Sequence, residues 1–142
     1  MSNIEQTLSI IKPDAVERNL ENEIKNIFKE NKFVINKEKK VQISKSEAEK
    51  FYKIHETKPF YNDLCNYLSS GPIVLCVFSG INAVINGRII VDGGQKIPEG
   101  GSVRGKLDIY GEYENSIHAS DSEQEAIREI QLWFPAKEDY LL

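Results

Sequence analysis

The longest uninterrupted apolar run in the chain, Ile73 to Phe78 (IVLCVF), has six residues and is rich in β-branched side chains. It falls far short of the about 20 residues that span a bilayer. By length and branching it is a buried strand, so the remaining chain must supply a sheet and its cover. The 142 residues are enough for this, because a chain of that size buries roughly two-thirds of its unfolded surface. With 40% hydrophobic and 28% charged residues the composition is that of a globular protein. Lys and Arg number 18 against 22 Asp and Glu, a net charge of −4. Such a chain lacks the basic footprint of a nucleic-acid binder, so neither a sequence-specific nucleic acid nor a membrane is expected as a partner. A small phosphate compound is compatible, since a few local cations suffice to hold it. The start, MSNIEQTLSIIKPD, has no basic patch followed by an apolar stretch, so no signal peptide is read. Two cysteines are too few for a disulfide framework or a metal cluster, and Cys76 inside the apolar run is expected to be a buried thiol. The expected location is cytoplasmic.

No repeat or low-complexity linker divides the chain, and residues 1–142 are read as one domain. Thr7 to Ile11 reads as a strand ending at Lys12, with Pro13 barring its continuation. Leu20, Ile24, Ile27 and Phe28 share one face of a helix. Phe33 to Gln42 reads as a second strand whose Lys37–Lys40 stretch is a solvated edge or turn. Ser44 and Glu47 form a capping box for a helix to about Glu56, and Pro59 opens another through Leu68. Asn82 is placed to cap a helix through about Ile90. Six of the nine glycines then fall between Gly93 and Gly111, which marks a long irregular loop of the kind that is functional or disordered. Ser120 and Glu123 read as a second capping box, starting a helix with Ala126, Ile127, Ile130 and Phe134 inward. The economical assembly is a four-stranded sheet covered on one face by helices.

Only two histidines are present, His55 and His118. His118 stands directly before an expected helix start, where partial positive charge and free N–H groups attract anions. Imidazole is nucleophilic near neutral pH, so a histidine there is chemically suited to accept a phosphoryl group. On spacing alone, a surface histidine beside a cap is the plainer reading. Lys12 at a strand end, Arg88 at a helix end and Arg104 in the glycine-rich loop are each as well explained singly as exposed cations. The planar guanidinium fork nevertheless suits phosphate. There is no G-x-x-x-x-G-K-[ST] run, no G-x-G-x-x-G after a strand and no metal-ligand spacing. If a nucleotide binds, side chains must do most of the phosphate holding.

Taken together, several blocks resemble nucleoside diphosphate kinase: Thr7–Ala15 (TLSIIKPDA), Phe51-Tyr52, Lys58–Tyr61 (KPFY), Ser70-Gly71-Pro72, Val103-Arg104-Gly105, Asn115–Ser122 (NSIHASDS) and Trp133-Phe134. The resemblance implies an α+β fold, the ferredoxin-like α/β sandwich with a four-stranded antiparallel sheet. It implies ping-pong transfer of the γ-phosphate of a nucleoside triphosphate to a nucleoside diphosphate, through a phosphohistidine on His118. By the same resemblance Lys12, Tyr52, Ser120 and Glu129 support catalysis, with Glu129 orienting the imidazole. Lys12, His55, Phe60, Leu64, Arg88, Arg104 and Asn115 bind nucleotide, with the base stacked on Phe60. Magnesium (Mg2+) is the expected cofactor; it arrives on the nucleotide and bridges its phosphates, with no protein cage. A homo-oligomer, tetramer or hexamer, is also implied. The pairing of Glu129 with His118 rests on the resemblance alone. A helix begun at Ser120 carries Glu129 about 13 Å along its axis at 1.5 Å per residue.

One stretch departs from the family pattern. Where an Ala-Thr-Asn-Pro-like sequence is usual, this chain has Val91-Asp92-Gly93-Gly94-Gln95-Lys96, so Gly94 replaces a threonine hydroxyl. Looser nucleotide binding is the expectation. The alternative function is a non-catalytic nucleotide-binding or regulatory relative with an altered loop at Asp92–Lys96. An RNA-binding module would need aromatic residues on its strands and a basic face.

Overall fold

The structure is a computed structural model and describes residues 4–92, 103 and 117–135. Four strands, β1 (Ile4–Ile11), β2 (Val34–Val41), β3 (Ile73–Ile81) and β4 (Ile117–Ala119), form one antiparallel sheet in the order β2-β3-β1-β4. The helices are α1 (Pro13–Glu17), α2 (Glu21–Glu30), α3 (Lys45–Phe51), α4 (Tyr61–Leu68), α5 (Ala83–Asp92) and, numbering on among the described residues, α6 (Glu123–Trp133). A 3-10 turn, Lys53–His55, follows α3. The fold is the expected ferredoxin-like α/β sandwich.

Helices cover both faces of the sheet, not one. On β3, Val74, Cys76 and Phe78 enter a core with Ile24, Ile27 and Phe28 of α2 and Ile90 and Val91 of α5. The alternate residues Ile73, Leu75 and Val77 enter a second core with Ala48 and Phe51 of α3, Cys65 and Leu68 of α4, and Trp133 of α6. An unbroken apolar run is what a strand buried on both faces needs, so Ile73–Phe78 already carried this information. Phe28 stacks on Phe78 with centroids 4.2 Å apart, and Phe33 tilts against both. A Cβ on Gly80 would collide with the Phe33 ring, so the backbone approaches that ring as only glycine allows.

Several local expectations shift by a few residues. Pro13 ends β1 and also opens α1, where a missing N–H costs nothing. The Ser44–Glu47 capping box forms as read, but its helix stops at Phe51 and tightens into the 3-10 turn before Glu56. Asn82 precedes α5 with a φ of +47°, a conformation asparagine tolerates. The Lys37–Lys40 stretch lies on the edge strand β2, where Lys40 pairs with Glu21 at 3.0 Å and Lys39 sits 4.8 Å from the Phe134 ring centroid. The glycine-rich loop of residues 93–111 lies outside the described residues except for Val103, which is buried in the first core.

The last helix differs most. Its cap is Ser122, whose Oγ accepts from the Glu125 amide at 3.1 Å, and it begins at Glu123. Ser120 cannot cap it, because its hydroxyl is committed to β1 and to Glu129. Ala126, Glu129 and Trp133 are buried, and Ile130 and Phe134 pack half-buried against the second core as expected, but Ile127 is 59% exposed.

Cys65 and Cys76 are free thiols in different cores, on opposite faces of the sheet. Burial, with a smaller contribution from Glu38, pushes the Cys76 thiol up to about 12 from the usual 9.0, while Lys25 acts the other way. Its contribution to stability is complete below pH 9 and is lost as pH rises toward 12, because the unfolded thiol releases a proton that the folded one retains. The urea midpoint is therefore expected to fall between pH 9 and 12, and to fall less steeply in Cys76→Val. Equal slopes for the two proteins would refute that assignment.

Candidate active site

His118 is the middle residue of β4 and faces the second core, because its neighbours Ile117 and Ala119 point into the first. Its Nε2 lies 2.9 Å from Glu129 Oε1. The same carboxylate oxygen accepts from Ser120 Oγ at 2.8 Å, and Ser120 Oγ in turn accepts from the Leu8 amide at 3.2 Å. Glu129 is 4% exposed and Ser120 fully buried. A carboxylate can only accept, so it selects the imidazole tautomer with the proton on Nε2 and leaves the Nδ1 lone pair available. Phe51 meets the imidazole edge-on at 5.0 Å between centroids.

Glu129 reaches His118 despite its spacing for two reasons. The helix starts three residues later than Ser120, so Glu129 lies about 9 Å along it at 1.5 Å per residue. The chain also turns back after β4, so that α6 lies against β1 beside the strand that holds His118.

Among the described residues, two hollows open beside the imidazole. One, of about 230 Å³, is lined by Lys12, Arg88, Asp92, Asp121 and His118 among others. Lys12 follows β1 directly and is 5% exposed, so its ammonium is presented by the sheet end and not by a loose surface chain. Arg88 reaches across from α5 and pairs with Asp121, ahead of α6. The other hollow, of about 90 Å³, is lined by Tyr52, His55, His118, Arg128 and Glu129 among others. Burial foremost, then the nearby Cys65 and Glu129, holds the Tyr52 phenol well above its ordinary range, so it stays protonated and able to donate. His55 Nδ1 is buried and has no hydrogen-bond partner among the described residues.

Phe60 precedes α4, with His55 at 6.0 Å and the Lys58 ammonium at 5.9 Å from its ring centroid. Leu64 is half-buried against the second core. Neither lines the two hollows, although the His55 ring connects Phe60 to the smaller one. Arg104 and Asn115, and Gly94 of the altered stretch, lie outside the described residues. Sequence reasoning assigned no part to Phe51, Asp121 or Arg128. Phe51 and Asp121 stood inside the family-like blocks, whereas Arg128 gave no sequence signal.

Among the described residues no group of three or more His, Cys, Asp or Glu side chains is placed to hold a metal ion. The charged groups of the larger hollow are the two cations Lys12 and Arg88 and the two carboxylates Asp92 and Asp121, with Arg88 paired to Asp121. Such a hollow suits an anion that brings its own counter-cation.

A family model described as nucleoside diphosphate kinase matches residues 5–139. The nucleoside diphosphate kinase of Granulibacter bethesdensis is 42% identical over 136 residues, which cover 95% of this chain and 96% of that protein. The enzyme of the same description from Nitratiruptor sp. is 42% identical over 137 residues, covering 95% and 98%. The crystal structure of the Aquifex aeolicus nucleoside diphosphate kinase matches with a TM-score of 0.86 at 33% identity, over 96% of this chain and 99% of that one. With a matching fold, near-complete coverage and a carboxylate-held histidine at the end of its sheet, this chain belongs to the nucleoside diphosphate kinase family.

Proposed function

We propose that the protein moves the γ-phosphoryl group of a nucleoside triphosphate to a nucleoside diphosphate in two half-reactions through His118. The observation that carries this reading is the Glu129–His118 contact, which binds Nε2 and frees Nδ1. In the first half-reaction the Nδ1 lone pair forms an N–P bond as the bond from the γ-phosphorus to the β–γ bridging oxygen breaks. The nucleoside diphosphate leaves with that electron pair. In the second, a β-phosphate oxygen of another diphosphate forms the new P–O bond, and the N–P bond returns its pair to Nδ1. The Nε2 proton stays on the carboxylate side throughout. Because the bond broken and the bond made are of one kind, catalysis is mainly positioning and charge neutralisation.

Lys12 and Arg88 are the described cations that meet the phosphates; Arg104 is proposed to join them, and Asn115 with Lys12 to contact the sugar. His55 offers a second imidazole to the phosphate chain, and the protonated Tyr52 hydroxyl donates beside the nucleophile. The base stacks on Phe60 with Leu64 alongside, an arrangement that accepts any base because every base has a flat face. The divalent cation, magnesium in this proposal, enters as part of the nucleotide substrate. The working unit is proposed to be the domain of residues 1–142, assembled as a homo-oligomer in the cytoplasm. No helix among the described residues is long and apolar enough to cross a membrane.

The test is incubation with γ-labelled ATP. Acid-labile label on the protein that chases onto added GDP is the expected result. Nucleotide binding without label would instead mark a non-catalytic relative.

A further inference from the structure

Arg128 stands beside Glu129 on α6, and nothing in the reaction above uses it. Its Nε donates to Glu125 Oε2 at 2.9 Å, one turn back on the same helix. Its Nη2 donates to the main-chain carbonyl of Phe51 at 3.0 Å. Phe51 is the last residue of α3, at the end where helical carbonyls lose their intrahelical partners. The same residue presents its ring edge to His118 and packs against Trp133 at 5.8 Å. The imidazole is thus flanked by a carboxylate from α6 and a ring from α3, and Arg128 is a polar tie between those two helices. A guanidinium fork can serve both acceptors at fixed angles, which a single ammonium cannot.

We propose that Arg128 is a positioning residue for phosphoryl transfer: by holding the Phe51 carbonyl it sets the slot in which His118 lies, and so the aim of Nδ1. This rests on the phosphohistidine reading. Arg128 is part-exposed and its pair with Glu125 is a surface one, so the effect is on geometry more than on stability. Displacing a reacting atom by about 1 Å can cost about 100-fold in rate.

The experiment is single-turnover labelling by γ-labelled ATP in the full chain, comparing Arg128→Ala, Arg128→Lys and Glu125→Gln with the unaltered protein. Arg128→Ala is expected to form phosphoenzyme about 10- to 100-fold more slowly per folded molecule, with KM for ATP within about twofold. Arg128→Lys, which keeps a donor for the carbonyl, recovers part of that loss. Glu125→Gln, which leaves the Phe51 bond intact, stays within about threefold. An Arg128→Ala rate equal to the unaltered one per folded molecule, a loss confined to KM, a lysine variant no faster than the alanine one, or a glutamine variant as slow as it overturns the proposal. If the unaltered protein takes no label at all, the reading of His118 itself has failed.

Discussion

Replacing His118 by asparagine is expected to abolish phosphoryl exchange, with kcat down by at least about 10⁴-fold and no acid-labile label on the protein. The asparagine amide is small enough for the slot, and Glu129 keeps the Ser120 hydroxyl as a donor, so the fold should persist. It has no lone pair able to form a transferable N–P bond. Lys12 and Arg88 remain in place, so nucleotide should still bind with affinity close to that of the unaltered protein. The pair of measurements matters: intact binding with lost turnover assigns a covalent role, whereas loss of both would mean that the ring serves the architecture. A His118→Asn protein exchanging phosphate at the original speed would sink the mechanism.

Glu129→Gln carries the next largest effect, an expected loss of about 10²- to 10³-fold in kcat with little change in KM. Two donors, His118 Nε2 and Ser120 Oγ, converge on the one oxygen Oε1. Glutamine keeps an oxygen there but loses the charge, and its amide can turn a donor toward two donors. The imidazole then loses its fixed tautomer and the anion that balances the positive charge growing on the ring as Nδ1 attacks. Stability should move the opposite way or not at all, because Glu129 is 4% exposed and a buried carboxylate carries a desolvation cost. A thermal midpoint at or above the original with a much slower enzyme is the expected outcome. A protein that unfolds several degrees earlier and reacts normally when folded would make Glu129 a structural anchor only.

Much of this architecture is legible in the residues. The Ser44–Glu47 box, the helical spacing of Ile24, Ile27 and Phe28, and the apolar run of β3 each stand where local physics put them. The same run, with no polar alternation, requires cover on both faces of the sheet, which an economical one-faced assembly does not provide. Local rules failed at Ser120, which has the chemistry of a cap but meets a stronger competitor from 112 residues away, the backbone of Leu8. That displacement moves the start of α6, turns Ile127 outward and brings Glu129 to His118. No spacing rule contains such a contact, so the proposed catalytic pair comes from resemblance and its geometry from the fold. The pairing of Arg88 with Asp121 was hidden in the same way, since 33 residues separate two side chains that share one hollow.

Ser120 also binds the proposed reaction centre to the interior of the sheet. Its amide donates to the Leu8 carbonyl at 3.2 Å and its hydroxyl accepts from the Leu8 amide, while β1 lies between β3 and β4. Freeing the histidine two residues away therefore requires these bonds to a central strand to break. On slow heating, turnover and tertiary structure should disappear at one temperature, with no inactive yet folded stage between them. In heavy water the Leu8 amide should be among the last to exchange, and its deuteration would serve as a clock for the integrity of the Ser120–His118 segment.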